Sequence, residues 1–457
     1  MPGLSFHIET LGCQMNEQDS LLLRERLVRA GHREASALED ADVLIVNTCS
    51  IRQKAEEKAY SILGRFRALK QGRPGILVAV GGCLSQQKGE TLLRRMPWVD
   101  LVFGPGQGPR IPDLLDVCKA GAGPVVALDG GEWSAEALES DGAIRPGEVK
   151  AYLKIMEGCD NFCSYCIVPY VRGLPRSRPA RSIVEEAKGL VDRGVKDITL
   201  IGQNVSAYRD PDCPGFGFAE LLESVCNQAR PVRLRFTTSH PKDTTRDLID
   251  SFGKLPPLCE HMHLPLQSGS DRVLAAMGRG YTLAAYREIV CALRERCPGI
   301  SITSDIIVGF PGETHRDFEK TLDAVREIRF DSLFSFKFSP RPGTRAATLR
   351  QTASDALKTE RLKTLQAIQR EIGLEKNKSL VGCKEEILVE GRSRRGGLWT
   401  GRTRTNRVVN VPGPSGWLGK LVWVRIERAG PHSLLGRSVE GAEPSEDASS
   451  KAKRKVS

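Results

Sequence analysis

At 457 residues the chain is long enough for two or three domains, each with its own core. Hydrophobic residues make up 40% of it, yet no apolar run reaches the length of a membrane span, and the early acidic residues of "MPGLSFHIETLGCQMN" argue against a secretory leader, so a cytoplasmic protein is expected. Thirteen cysteines in such a setting point to metal ligands or buried thiols rather than a disulfide framework, and a formal charge of +11 points to a polyanionic partner.

Residues 4–118 read as repeated strand, turn and helix. "LSFHIETLGC" runs to Cys13, "ADVLIVNTC" to Cys49 and "GILVAVGGC" to Cys83, each followed by a helical pattern such as "NEQDSLLLRERLVRAGH". The three cysteines are spaced by roughly one βαβ unit. Parallel strands present their carboxyl ends at one sheet edge, where open α/β folds bind ligands, so three distant residues converge there. Read alone, each cysteine is equally a small buried hydrophobe. Residues 119–148, rich in glycine and acid, read as a linker.

From 149 to 375, "VKAYLKIM", "KDITLIG", "VRLRFTT", "HMHLPL", "SITSDIIVG" and "DSLFSFKFS" are strand candidates with helical patterns between them. Six such units predict a full or partial parallel barrel, with its site at the carboxyl ends of the strands. After the first of them comes "EGCDNFCSYCIVPYVRG", carrying Cys159, Cys163 and Cys166. A closed zinc site takes four ligands, commonly as two separated pairs. A four-iron cubane held by three thiolates instead keeps one iron open for a small molecule. "GFPGE", with Gly309 and Glu313, is either a βα turn or a contact with that molecule.

Residues 378–440 change to short alternating strands between glycine and proline turns, which predicts a small antiparallel β-barrel, and 441–457 read as a disordered tail. "GRSRRGGLWTGRTRTNRVVN" holds Arg392, Arg394, Arg395, Arg402, Arg404 and Arg407 with no acid, and Trp399 among them. Arginines neutralise phosphates and stack on bases, so RNA is the expected partner; the alternative is a solvated basic hairpin.

C-x3-C-x2-C after the first strand of a partial (β/α)6 barrel resembles the radical S-adenosylmethionine enzymes. The resemblance implies that Cys159, Cys163 and Cys166 hold a 4Fe-4S cluster whose open iron binds S-adenosylmethionine. "TLGCQMN", "NTCSIR", "GGC", "HLPLQSGS", "TSDIIVGFPGET" and "FSPRPGT" are similar to the methylthiotransferase branch of that superfamily, and the terminal barrel to its RNA-binding TRAM domain. For that branch Cys13, Cys49 and Cys83 carry a second 4Fe-4S cluster, and S-adenosylmethionine serves as both methyl donor and radical source. "IGQNVSAYR" and "FTTSHP" are similar to members that methylthiolate C2 of N6-isopentenyladenosine next to the anticodon of tRNA. Gln203 stands where many radical enzymes carry an acidic motif that holds the cofactor's methionine end. The implied partners are tRNA and a reducing electron donor, with the protein a monomer. Two alternatives stay open: a methylthiotransferase acting on threonylcarbamoyladenosine or on an aspartate of a ribosomal protein, and an iron–sulfur RNA-binding protein without turnover.

Overall fold

The computed structural model describes residues 3–50, 53–121, 123–129, 144–145, 147–393 and 396–439. Every strand expected from the sequence is present, in three successive sheet systems.

The first is a six-stranded all-parallel sheet in the order β2-β1-β3-β4-β5-β6. Its strands are β1 (Ser5–Thr10), β2 (Arg33–Glu34), β3 (Val43–Thr48), β4 (Leu77–Gly82), β5 (Leu101–Phe103) and β6 (Val125–Ala127). β3 is buried along its whole length and reads VLIVNT, the near-continuous apolar run of a strand covered on both faces. Two apolar clusters flank the sheet, one led by Phe6, Leu27 and Ile45, the other by Leu44, Leu63, Phe66 and Val80. β6 corrects the expected linker: residues 125–127 pair with β5 and close the sheet.

The central unit holds β7 (Lys150–Lys154), β8 (Met156–Glu157), β9 (Arg176–Ser177), β10 (Asp197–Ile201), β11 (Arg233–Phe236), β12 (His261–His263), β13 (Ser301–Val308) and β14 (Ser332–Lys337). Parallel β11-β10-β7 and β12-β13-β14 are joined by a bridge at Leu234–Leu258, giving the six-strand partial barrel expected. Its core is the molecule's largest apolar cluster, from Leu153 and Ile198 to Phe318 and Ile372. The short antiparallel pair β8–β9 closes the neck of the loop that carries Cys159, Cys163 and Cys166.

The last unit is a closed barrel, β15-β16-β17-β19-β18, built from β15 (Lys384–Arg392), β16 (Trp399–Thr403), β17 (Val408–Val411), β18 (Leu421–Ala429) and β19 (Leu434–Ser438). Its β16–β17 turn seats at the amino end of the central barrel. Arg233 of β11 donates to the Arg402 carbonyl at 2.6 Å, and Arg235 donates to the Thr403 and Arg404 carbonyls at 2.9 and 2.8 Å. Among the described residues no helix is long and apolar enough to cross a membrane.

Candidate functional site: two cysteine clusters facing one another

Parallel β1, β3 and β4 bring Cys13, Cys49 and Cys83 to one sheet edge. Cys13 caps the helix Gln14–Arg29, Cys49 follows β3 directly, and Cys83 opens the helix Cys83–Lys88 directly after β4. Glycines permit this convergence. A Cβ on Gly12 would stand 2.5 Å from the Cys49 Cβ, and Gly82, at φ +92°, would place one 2.4 Å from the Thr48 carbonyl. The Cys13 thiol is held down at about 6, first by its hydrogen bond with Cys49, while burial pushes Cys83 up. Ser50 and Ser85, one and two residues past their cysteines, are fully buried, and their hydroxyls have no hydrogen-bond partner among the described residues.

The second set lies at the carboxyl end of the central barrel. Its loop leaves β8 through Gly158, whose N–H donates to Gln203 Oε1 at 2.6 Å, and turns at Phe162 with φ +43°. Burial pushes Cys159 up and Cys166 up to about 12. Arg279, 5% exposed, donates to the Cys163 sulfur at 3.4 Å and to the Pro265 carbonyl at 3.0 Å, with Tyr281 Oη 3.0 Å from its Nε. A buried guanidinium among thiols and phenols fits an anionic iron–sulfur cluster on those thiols.

Around that rim the strand ends carry buried polar atoms with no partner among the described residues: Asn204 Oδ1 after β10, Ser239 Oγ and His240 Nε2 after β11, and Gln267 Oε1 after β12. Thr238 and Gln267 hold positive φ of 72° and 73°. Groups buried without partners at the mouth of a barrel fit a polar ligand that completes them, and a cofactor with amino, carboxyl, ribose and adenine groups meets that need. His240 Nδ1 accepts from the Lys242 N–H at 3.2 Å, so in the neutral ring Nε2 carries the proton and is a donor awaiting an acceptor. Burial, with Arg279 and Lys242 nearby, holds His240 neutral down to about 2. A histidine depressed in the fold stabilises above its unfolded pKa, and that stability is lost as pH falls below about 6.5. Relative to His240→Gln, the protein is therefore expected to lose about 1 kcal/mol more between about pH 7.5 and 5.5. Denaturant titration at both values checks this, and identical losses would overturn it.

Among the described residues no three His, Cys, Asp or Glu side chains close in on a single ion. In a cubane each thiolate has its own iron, so its ligands stand farther apart than those sharing one zinc.

The structure gives several expected site residues other work. Gln203 steadies the start of the cysteine loop. Glu313 accepts from the Gly309 N–H and from Arg361 at 3.1 Å, and a Cβ on Gly309 would lie 2.4 Å from Lys358 Cγ. "GFPGE" is thus a self-capped βα turn in which Glu313 Oε2 and the Gly309 N–H are spent on each other. Arg404 grips Glu260 with Nε and Nη2, both at 2.8 Å, and Arg407 reaches Asp331 at 2.6 Å, so these two arginines dock the terminal barrel instead of meeting phosphate. Arg402 lies 3.5 Å from Glu390. Arg394 and Arg395 lie outside the described residues. Arg392 is exposed and stacks 3.8 Å from the Trp399 ring, which is itself 6% exposed in the barrel core. An exposed aromatic on this barrel is Trp423, 44% exposed. Ser239, His240, Gln267 and Arg279 were missed as individual residues, although "FTTSHP" and "HLPLQSGS", which contain three of them, end predicted strands.

Residues 5–104 match the "Uncharacterized protein family UPF0004", residues 153–325 the "Radical SAM superfamily", and residues 378–439 the "TRAM domain". Among solved structures the chain is similar to a radical S-adenosylmethionine methyltransferase, TsrM, from Kitasatospora setae, with TM-score 0.57 and 14% identity over 88% of this chain and 81% of that one, which supports the fold. Among curated proteins it is 47% identical to the tRNA-2-methylthio-N(6)-dimethylallyladenosine synthase of Syntrophus aciditrophicus over 94% of this chain and 93% of that protein. It is 45% identical to the protein of the same name from Moorella thermoacetica over 96% of this chain and 99% of that protein. With all three domains in register and near-half identity along almost its whole length, the chain belongs to the family of tRNA-2-methylthio-N(6)-dimethylallyladenosine synthases.

Proposed function

We infer that the protein methylthiolates C2 of N6-dimethylallyladenosine next to the anticodon of tRNA, using S-adenosylmethionine and two 4Fe-4S clusters. The observation that carries this reading is the facing of two three-cysteine sites across one domain junction, where Arg172, six residues past Cys166, touches Cys83. An electron carrier without turnover has no need of two incompletely ligated clusters side by side. The relatives' names place the substrate in tRNA rather than in a ribosomal protein.

Cys159, Cys163 and Cys166 would hold the cluster of the barrel, and Cys13, Cys49 and Cys83 that of the amino-terminal sheet. When bound, the first supplies an electron and an open iron for cleavage of S-adenosylmethionine to a 5'-deoxyadenosyl radical, and the second the site from which the methylthio group is delivered. The chain's own residues bind, orient and exclude water. Arg279 donates to the Cys163 sulfur, and His240, Ser239, Asn204 and Gln267 offer polar atoms to the cofactor and the reacting base. The barrel core of Leu153, Ile198 and Leu264 keeps solvent away from the reacting atoms. The reading calls for a low-potential electron donor, and a tRNA substrate supports a cytoplasmic location. Mass analysis of tRNA nucleosides from cells lacking the protein tests this: 2-methylthio-N6-dimethylallyladenosine should vanish and the unthiolated nucleoside accumulate, whereas an unchanged profile would overturn the reading.

The terminal barrel would grip the tRNA through arginines that are not spent on docking. Arg392→Ala is expected to lower the slope of log affinity for tRNA against log salt by about 1, and Arg404→Ala to leave that slope unchanged, because only the first would release a phosphate contact. Equal slopes for the two variants in binding titrations at several salt concentrations would sink this division.

A further inference from the structure

One buried arginine stands between the two cysteine sets. Arg172 ends the helix Val168–Arg172 and is 2% exposed. Its Nε lies 3.2 Å from Cys83 Sγ, its Nη2 donates to Asp19 Oδ2 at 2.7 Å, and its Nη1 donates to Glu157 Oε1. Lys154 completes the group, 2.7 Å from Asp19 and 3.3 Å from Glu157. Asp19 sits on the helix that Cys13 caps, and Glu157 precedes the loop of Cys159. Carboxylates from the two domains thus hold two edges of a planar fork, which fixes where its remaining N–H points. It points at a sulfur. A lysine, with one compact charge on a flexible stem, could not satisfy all three partners in that geometry.

We propose that Arg172 is a positioning residue for the amino-terminal cluster: its Nε–H donates to the Cys83 sulfur, fixes that ligand against the radical domain and raises the cluster's reduction potential. This rests on the two-cluster reading above. A donor hydrogen bond and a positive charge at a ligand sulfur stabilise the more negative, reduced cluster, and ligand orientation by such outer groups is a general means of tuning metal sites. Cys83 shares a small buried apolar cluster with Val171 of that helix and with Ile167, which caps it.

The test is a redox titration, followed by electron paramagnetic resonance, of reconstituted full-length protein, the relevant signal being the one that Cys49→Ala removes. Glu157→Gln removes an anion and leaves the donor, so the midpoint should rise. Arg172→Met/Glu157→Gln removes the donor together with one charge of each sign, leaving the net charge of the group unchanged. Its midpoint should fall by at least a tenfold shift in the redox equilibrium, about 59 mV for a one-electron couple. A packing role alone would not move the two variants in opposite directions. A wild-type midpoint in the double variant would overturn the proposal. Should that variant fail to assemble the cluster, Arg172→Lys decides: it keeps the charge but not the aimed N–H, so a lowered midpoint supports the proposal and an unchanged one overturns it. Wild-type protein with no signal that Cys49→Ala removes would defeat the two-cluster reading itself, and the proposal with it.

Discussion

Anaerobically reconstituted Cys49→Ala protein is expected to hold about four irons where the wild type holds about eight, to cleave S-adenosylmethionine reductively, and to transfer no methylthio group. Cys163→Ala is expected to keep the other four and to generate no 5'-deoxyadenosine. The reasoning is geometric. Cys49 sits at the end of β3, in a sheet whose cores are separate from that of the barrel, so its loss leaves the loop of Cys159, Cys163 and Cys166 intact. Cys163 lies 3.4 Å from the buried Arg279, and its replacement removes a ligand and leaves that guanidinium without its sulfur, so the damage there is larger than one missing bond. If methylation of the amino-terminal cluster needs no reductive cleavage, S-adenosylhomocysteine still forms in the Cys163→Ala protein. Iron analysis, chromatography of 5'-deoxyadenosine and S-adenosylhomocysteine, and mass analysis of the tRNA nucleosides check these statements. A Cys49→Ala protein that methylthiolates tRNA normally would return Cys13, Cys49 and Cys83 to the standing of buried thiols.

Cys13, Cys49 and Cys83 could be read from the sequence because each ends an apolar run, and a parallel sheet turns that repetition into convergence. C-x3-C-x2-C stands out in the sequence because its three cysteines come from one loop. Residues 125–127 were not, since a three-residue strand beside glycine-rich sequence carries no period, and only pairing with β5 makes it a strand. The basic segment misled for a related reason. A stretch with charge of one sign shows none of its partners, and Glu260 and Asp331, which meet Arg404 and Arg407, come from the central domain. The partners of Glu313 Oε2, the Gly309 N–H and an arginine on the distant helix Asp355–Lys378, leave no mark in the motif. Arg172 and Arg279 were hidden likewise: that an arginine is buried, and against which sulfur, depends on contacts among residues far apart in the chain.

The group of Asp19, Lys154, Glu157 and Arg172 carries the largest stability effect expected of a single substitution at this junction. All four side chains are less than a tenth exposed, and they form two ion pairs' worth of opposite charge. Such a group, formed from well-solvated ions, contributes little net, because desolvation offsets the attraction. Removing one member is another matter, since Asp19→Ala leaves Lys154 and Arg172 buried with only Glu157 between them. The expected loss is about 3–5 kcal/mol, read as an earlier first transition in chemical unfolding followed by fluorescence and by protease sensitivity of the amino-terminal domain. Glu25→Ala, which removes an i,i+4 partner from the exposed Arg29, is the comparison and should cost no more than about 0.5 kcal/mol. Asp19→Leu/Lys154→Met takes out one charge of each sign and leaves Arg172 with Glu157, so it should recover most of the loss. Were Asp19→Ala no worse than Glu25→Ala, the two domains would be held together by apolar contact alone, and the fork that aims Arg172 at Cys83 would lose its physical basis.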